Sequence, residues 1–336
     1  MNQLFRWDQT GLFLLALAAG ILPFAVPEVC AAALREGLTL CSGPLLLSLF
    51  PFLVVSRLLV QCPESDLLAL PFRLAAWGIG IRTPCAARVL CIGFLGGFAP
   101  AASAAAQAVR TGQLTAEEAD ALLPACICSG PSFVVLTVGQ SLLGSAELGV
   151  LLFASQITAN YLTAALLNRF AGVRSVKPGS AAPASPAPPR LDEILADAAI
   201  TYCKLCGFIL FFRMLAAGAG ALLPAGAGTL CSILLEVCSG CDLASRTGRW
   251  GSLLCCAALS VQGLSVLLQV RTICPPEMTL RPLYRARMLH LPLSLALFYL
   301  LLPGGEADVF STLPARVLLM RRVPPDCALL VFAVCC

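Results

Sequence analysis

Long apolar runs separated by short polar segments dominate this sequence. The clearest runs are each apolar over most of the roughly 20 residues that a helix needs to cross a bilayer; they are Gly11–Val26, Leu38–Val60, Leu148–Leu167, Leu205–Leu223 and Leu253–Val270. The pattern predicts an all-α, polytopic integral membrane protein of about eight to ten membrane segments, surrounded by the lipid bilayer. A basic residue before the first run would also suit a signal peptide, but the later spans favour a retained helix.

Helix-breaking residues interrupt the other apolar segments. They are concentrated in residues 86–109 (Gly93, Gly96, Gly97 and Pro100) and residues 121–143 (Pro124, Gly130, Pro131 and Gly139). A proline inside a helix costs about 3 kcal/mol, and irregular backbone at membrane depth is tolerated only where protein or a watery cavity satisfies it. The breaks therefore predict re-entrant helical hairpins, the clearest at about residues 86–143, and indicate where a pathway would lie.

A linker rich in Pro, Ala and Ser, residues 171–190, divides the chain. Its composition cannot bury a core, so an extended segment is expected. Basic residues at 169, 174, 177 and 190 predict a cytoplasmic location by the positive-inside rule. The predicted domains are an N-terminal membrane half, residues 1–170, and a C-terminal membrane half, residues 191–302. The apolar, Pro-broken tail, residues 303–336, is left unassigned.

Short fragments recur in the same order in both halves. They are TLCS (Thr39–Ser42 and Thr229–Ser232) and VRT (Val109–Thr111 and Val270–Thr272). Their common order predicts two internal repeats, from which secondary transporters are often built, with discontinuous helices that meet near the midplane. Thr115 and Glu118, in the polar turn that follows the first VRT, have the spacing of a capping box and predict a helix start.

Composition and charge exclude several classes of function. Only 12% of the residues are charged, about half the share usual in soluble domains. The net charge is +4, with arginines at the ends of apolar runs, so no nucleic-acid partner is expected. The 18 cysteines are scattered through apolar segments, where cysteine behaves as a small hydrophobe. We therefore expect neither a disulfide framework nor a metal site.

The single histidine argues against catalysis. His290 lies near Arg285 and Arg287, a grouping that predicts an interfacial helix end. No nucleophile–base arrangement in the sequence is credible. We expect no enzymatic activity and no cofactor.

Two helix breaks with the sequence Ser-Gly are candidate solute sites. The first is Ser129-Gly130-Pro131 and the second is Ser239-Gly240. A broken helix presents unpaired N–H groups and the positive end of its dipole, which suits an anionic group. The alternative is a packing kink that a neighbouring helix fills.

Two charged residues, Glu236 and Arg213, fall within apolar segments. Ionisable groups inside a membrane are costly and usually face a cavity or a partner. Glu236 is predicted to contact the solute or a coupling ion, H+ or Na+; the alternative is a structural pair with Arg246 or Arg249. Arg213 could hold a carboxylate through two hydrogen bonds, or its guanidinium could extend to the interface.

A polar stripe lies between residues 259 and 270. Ser265 and Gln269 are four residues apart and share a helical face with Gln262 close by. Such a stripe either lines a cavity or joins helices, and we take Gln262, Ser265 and Gln269 as candidate solute ligands. Asn160 belongs to a separate polar cluster, for which interhelical packing is expected.

The segment Gly93–Val138 resembles the nucleoside-recognition, or Gate, domain of bacterial membrane proteins. It contains a glycine-rich half-helix, the turn GQLTAEEA and a Ser-Gly-Pro-x-Phe break. In the second half, LLEVCSGC (Leu234–Cys241) and LSVQGLSVLLQV (Leu259–Val270) resemble segments of sporulation integral membrane proteins. The chain is most similar to the stage V sporulation permease family, which is related to concentrative nucleoside transporters.

The resemblance covers roughly residues 11–302 apart from the linker. It implies a permease for a small anionic or heteroaromatic solute, most concretely dipicolinic acid during spore formation, in the outer forespore membrane; without it, the plasma membrane is the expected location. The alternatives are a nucleoside or nucleobase symporter and a non-transporting scaffold for spore assembly. The coupling ion and a homo-oligomeric state are left open.

Three positions depart from the pattern of that family. Cys128 stands where relatives often carry Asn, Cys238-Ser239 replaces Thr-Asn, and Gln262-Gly263 replaces Gly-Gly. The first two changes remove amide side chains from the predicted site, so the solute of this chain can differ from that of the relatives.

Overall fold

The computed structural model describes residues 9–171 and 190–302, and the regular elements within those ranges are all helical. The prediction of an all-α protein is therefore confirmed for this part of the chain. Almost all of the predicted linker and the whole of the tail, residues 303–336, lie outside the described residues.

The N-terminal half is a succession of helices with short connections. They are α1 (Gln9–Ala25), α2 (Pro27–Ser42), α3 (Pro44–Gln61), α4 (Leu70–Gly78), α5 (Pro84–Gly96), α6 (Phe98–Arg110), α7 (Ala116–Cys126), a π-helix (Ser132–Leu142) and α8 (Ala146–Ala171). The predicted capping box begins α7: Thr115 Oγ1 accepts a hydrogen bond from the N–H of Glu118 at 3.1 Å, and Glu118 Oε2 accepts one from the N–H of Thr115 at 3.1 Å.

The C-terminal half also consists of short and long helices. Its helices are α9 (Leu191–Leu222), α10 (Ala225–Leu235), α11 (Val237–Ser245), α12 (Gly251–Val261), α13 (Gly263–Ile273) and α14 (Arg281–Leu301). The short elements α5, α6, α7 and the π-helix precede the long α8, as α10 to α13 precede α14. The VRT fragments do not mark this order, because one ends α6 and the other ends α13. Duplication of the fold stays a prediction.

Four segments among the described residues are long and apolar enough to cross a membrane. They are Pro27–Leu47, Ala146–Ala171, Leu191–Leu222 and Gly248–Ile273. Two of the predicted spans lie within these segments, and a third, Leu205–Leu223, ends one residue beyond the segment Leu191–Leu222. The predicted span at 38–60 is divided at Gly43, between α2 and α3. The predicted first span corresponds to α1, a shorter apolar helix. The described helices are those of an all-α membrane protein.

Each half contains a pair of short helices that fold back on each other. A Cβ built on Gly93 in α5 would lie 3.2 Å from the Cβ of Ala101 in α6, eight residues later along the chain. In the second half, a Cβ built on Gly240 in α11 would lie 2.8 Å from the Cα of Ile233 in α10. A continuous helix would separate such residues by about 10–12 Å, so α5–α6 and α10–α11 are helical hairpins, with turns at Gly97 and Glu236.

The turn of each hairpin packs against a break in another helix of the same half. At Gly97 (φ +81°), a Cβ would lie 2.6 Å from the backbone nitrogen of Gly130, in the break between α7 and the π-helix. At Gly263 (φ +67°), beside the break between α12 and α13, a Cβ would lie 2.9 Å from the nitrogen of Glu236. The predicted hairpin at 86–143 thus consists of one hairpin, α5–α6, and one broken helix.

Small side chains allow α6 to lie at the centre of the bundle. Its sequence, FAPAASAAAQAVR, is mostly alanine, and the residues from Ala99 to Ala106 are buried. Helices can approach closely where their facing residues are small. As a result α6 contacts α3, α5, α7 and also α13, which joins the two halves.

Gly97→Ala is expected to destabilise the fold more than Gly112→Ala. Both glycines have positive φ, +81° and +70°, so either alanine costs about 1–3 kcal/mol in backbone strain. Only at Gly97 would the new Cβ meet the backbone of Gly130, whereas nothing lies within 4 Å at Gly112; overpacking adds about 1–3 kcal/mol. Thermal unfolding of the purified variants in detergent measures the difference, and equal losses would contradict the close contact.

Candidate functional site

The first break holds Ser129, Gly130 and Pro131 in the interior of the bundle. Ser129 and Pro131 are buried, and Gly130 lies against Gly97 at the turn of the first hairpin. The carbonyl oxygen of Ile127, which precedes the break, accepts hydrogen bonds from Arg287 at 2.7 Å and Asn160 at 3.2 Å. Neighbouring helices therefore satisfy the carbonyl end of this break. The packing role expected for Asn160 is confirmed.

The predicted break at Ser239-Gly240 is wrong, because both residues lie inside α11; the chain turns at Glu236 instead, and the carboxylate of Glu236 caps this turn. Glu236 is 2% exposed and precedes α11; its two oxygens accept hydrogen bonds from the N–H groups of Cys238 at 2.8 Å and Ser239 at 2.7 Å. The N-terminus of α11, predicted as a site for an anionic solute, thus already holds an anion. Gly240 in the next turn packs against α10.

Glu236 does not pair with either arginine considered for it. Arg246 forms an ion pair with Asp242 at 2.7 Å, four residues earlier on the same helix. Arg249 lies over the ring of Trp250 at 5.1 Å. The alternative of a structural pair with one of these arginines is wrong, because the Glu236 carboxylate accepts hydrogen bonds from the N-terminus of α11 instead.

Arg213 is paired with Glu36, a partner that was not predicted from the sequence. Its Nη2 lies 2.7 Å from Glu36 Oε2 on α2, in the ion pair that joins α2 to α9. The Arg213 side chain is only 13% exposed, whereas that of Glu36 is 64% exposed. Arg213 does hold a carboxylate, but one supplied by the chain itself.

The polar stripe is buried, and its hydrogen bonding is incomplete. Gln269 Nε2 donates to Ser265 Oγ at 3.0 Å, whereas Gln269 Oε1 has no partner among the described residues. Gln262 occupies the break between α12 and α13 with φ +64°, is 1% exposed, and neither of its amide atoms has a partner there. Buried polar groups without partners are costly. A bound ligand or water would supply the missing partners.

The structure brings some of the predicted residues together and separates others. Glu236 lies against Gly263, next to Gln262, so the second hairpin turn and the polar stripe share one location. Ser129 and Pro131 lie at the other place where a hairpin turn packs against a helix break, at Gly97; each of these two contacts is a crossing. The two crossings are linked because α11 contacts the π-helix and α6 contacts α13.

A cavity of about 160 Å³ lies between the two halves and contains one of the predicted ligands, Gln269. The polar residues of its lining are contributed by α3, α6, α9 and α13; they include Arg57, Ser103, Arg110, Asp197, Lys204 and Gln269. Arg57 is paired with Asp197 at 2.6 Å. Within the described ranges Arg110 and Lys204 have no carboxylate partner, and the buried Ser103 Oγ has no hydrogen-bond partner. The lining therefore has an excess of positive charge.

Two residues of α14 are buried although the sequence did not predict their burial. Arg287 and His290 are 7% and 1% exposed, so the prediction of an interfacial helix end is wrong for both; Arg285 is exposed. His290 Nε2 lies 3.2 Å from the carbonyl oxygen of Gln156. The spacing of Arg287, His290 and Ser294 follows one face of a helix, and that periodicity is the signal that could have identified them.

Comparisons with known proteins gave no match: no family model, curated protein or solved structure matches this chain. The resemblance to sporulation permeases therefore stays a prediction. Within residues 9–171 and 190–302, no three His, Cys, Asp or Glu side chains come together as metal ligands.

Replacing Glu236 tests its capping role. Glu236→Ala is expected to lower the free energy of unfolding by about 0.5–2 kcal/mol because two N–H groups of α11 lose their acceptor. Glu236→Gln should cost less, since one amide oxygen can still accept. Asp242→Ala is the control, because its exposed pair with Arg246 contributes at most about 1 kcal/mol. If thermal unfolding ranked Glu236→Ala no lower than the control, the cap would be unimportant for stability.

Proposed function

We propose that the protein is a membrane permease for a small anionic solute, with dipicolinate as the first solute to test. The observation that supports this most directly is the cavity between the two halves, because Arg110 and Lys204 bring two cations to it without carboxylate partners among the described residues. Dipicolinate is a planar pyridine with two carboxylates, so its charge complements this pair.

The position of the cavity relative to the breaks supports transport rather than static binding. Ser103 and Gln269 lie six residues beyond Gly97 and Gly263 respectively, which is about 9 Å along each helix. Hairpins that meet broken helices are typical of secondary transporters, whose solutes bind near such breaks. In this proposal the hairpins α5–α6 and α10–α11 are re-entrant, and the halves are related repeats.

In this proposal the cavity faces the cytoplasm. Its residues Arg57 and Asp197 lie near the end of α3 and the beginning of α9, and α9 follows the linker. The basic residues in and around that linker favour the cytoplasmic side. An outer forespore membrane location depends on the resemblance alone and is part of the proposal.

A nucleoside or nucleobase symporter is the second candidate. The observation that favours it is Gln262, since both of its buried amide atoms lack partners within the described ranges. An amide can both donate to and accept from the edge of an uncharged base. In that case the cations of the cavity would contribute little to affinity. A non-transporting scaffold, the third candidate, would need neither feature.

Uptake into vesicles distinguishes the three candidates. Purified protein in liposomes is expected to take up labelled dipicolinate, and uridine uptake should be at the level of empty liposomes. Lys204→Ala and Arg110→Ala should each weaken dipicolinate uptake at low concentration by about tenfold or more, since a hydrogen bond to a charged group contributes about 1.5–3 kcal/mol. Arg249→Ala, which removes an exposed arginine stacked on Trp250, is the matched control.

The opposite results would be equally clear. Uridine uptake that is insensitive to Lys204→Ala would favour the symporter. Uptake of neither solute by protein that unfolds cooperatively would leave the scaffold as the better explanation.

A further inference from the structure

Arg287 is a buried cation whose hydrogen bonds to the described residues all go to neutral oxygen atoms, while its Nε has no partner among those residues. Its Nη2 donates to the carbonyl of Ile127 at 2.7 Å and to Asn160 Oδ1 at 3.2 Å, and its Nη1 donates to the carbonyl of Ser260 at 3.3 Å. No Asp or Glu of the described residues forms an ion pair with it. An isolated buried charge is very costly, so these oxygens must supply its stabilisation.

The carbonyl partners of Arg287 belong to the C-terminal ends of two broken helices. Ile127 caps the end of α7, directly before the Ser129–Pro131 break, and Ser260 lies in the last turn of α12, directly before Gln262. Helix C-termini carry partial negative charge. Arg287 therefore lies where the negative ends of one helix from each half converge.

Carbonyl oxygens at unwound breaks and half-helix ends are the groups with which broken-helix transporters coordinate Na+ or H+. We propose that Arg287 occupies this position as a built-in cation and replaces a coupling metal ion between the C-terminal ends of α7 and α12. A guanidinium stays protonated in proteins, so its charge is permanent. The inference deepens the proposed function, but its first test does not depend on any solute.

The surroundings of Arg287 support a fixed role. Asn160 Nδ2 donates to the same Ile127 carbonyl at 3.2 Å, which orients its Oδ1 toward the guanidinium. Ser260 Oγ accepts from Gln156 Nε2 at 2.9 Å and contacts Ser294 Oγ at 2.5 Å, which fixes the end of α12 against α8 and α14. The acceptors are thus held in place by side chains other than Arg287.

The first test is thermal unfolding of the full-length protein at equal concentrations of NaCl, KCl and choline chloride. The wild-type midpoint should be the same in all three salts. Arg287→Ala should lower the midpoint, and low millimolar guanidinium should restore part of the loss, whereas urea, the neutral analogue, should not. Arg285→Ala, an exposed arginine on the same helix, should change the midpoint little and show no guanidinium effect.

A second pair of variants keeps the test decisive if Arg287→Ala does not fold. Arg287→Lys preserves the charge and Arg287→Met preserves much of the volume, so the Lys variant should be the more stable one. A Met variant as stable as the Lys variant, or a wild-type midpoint that rises specifically with Na+, would overturn the inference.

Dipicolinate uptake by the wild type provides a separate readout. Replacement of Na+ by choline should change the uptake rate less than twofold, and a tenfold loss would contradict the inference. If no dipicolinate uptake is found at all, the proposed function fails. The unfolding measurements then still decide whether Arg287 acts as the cation between these two helix ends.

Discussion

The contact between each hairpin turn and a helix break is the constraint on which the rest of this fold depends. At Gly97 the backbone lies so close to Gly130 that even a Cβ would be only 2.6 Å from its nitrogen, and Gly263 has the same relation to Glu236. Glycine is required at both points by space and by positive φ. Once the two crossings form, α6 and α13 are brought together and the cavity between the halves has its walls.

The two crossings expose helix ends, and opposite charges stabilise these ends. Glu236 supplies a carboxylate to the N-terminus of α11, and Arg287 supplies a guanidinium to the C-terminal ends of α7 and α12. Both arrangements follow the sign of the helix dipole. Glu236 and Arg287 therefore complete the interrupted backbone of the bundle, which explains how these two charges are tolerated at low polarity. In the cavity, Arg110 likewise donates to a helix-end carbonyl, that of Ile273 at the end of α13, at 3.4 Å.

The sequence predicted features that are local in the chain. Gly and Pro located the break at Ser129–Pro131, Thr115 and Glu118 located the start of α7, and apolar length located the long helices, because each depends on residues only a few positions apart. The interruptions at Glu236 and Gln262 were not located. The partners of charged groups were not predictable: Arg213 and Glu36 are 177 positions apart, and Arg287 and Ile127 are 160 apart. Such pairs depend on how helices pack, and the same residue types would suit an exposed helix end.

The cavity is bounded by two kinds of element, and this difference bears on how a solute could move. Arg57 and Asp197 form an ion pair that ties α3 to α9, which are uninterrupted helices on one wall. Ser103 and Gln269, on the other wall, belong to a hairpin arm and to half of a broken helix, and each has an oxygen without a partner in the described ranges. A solute carboxylate bound there would accept a hydrogen bond from the Ser103 hydroxyl, on the hairpin arm, and would leave the Arg57–Asp197 pair intact. Its binding energy would therefore stabilise one arrangement of the interrupted elements, α6 and α13.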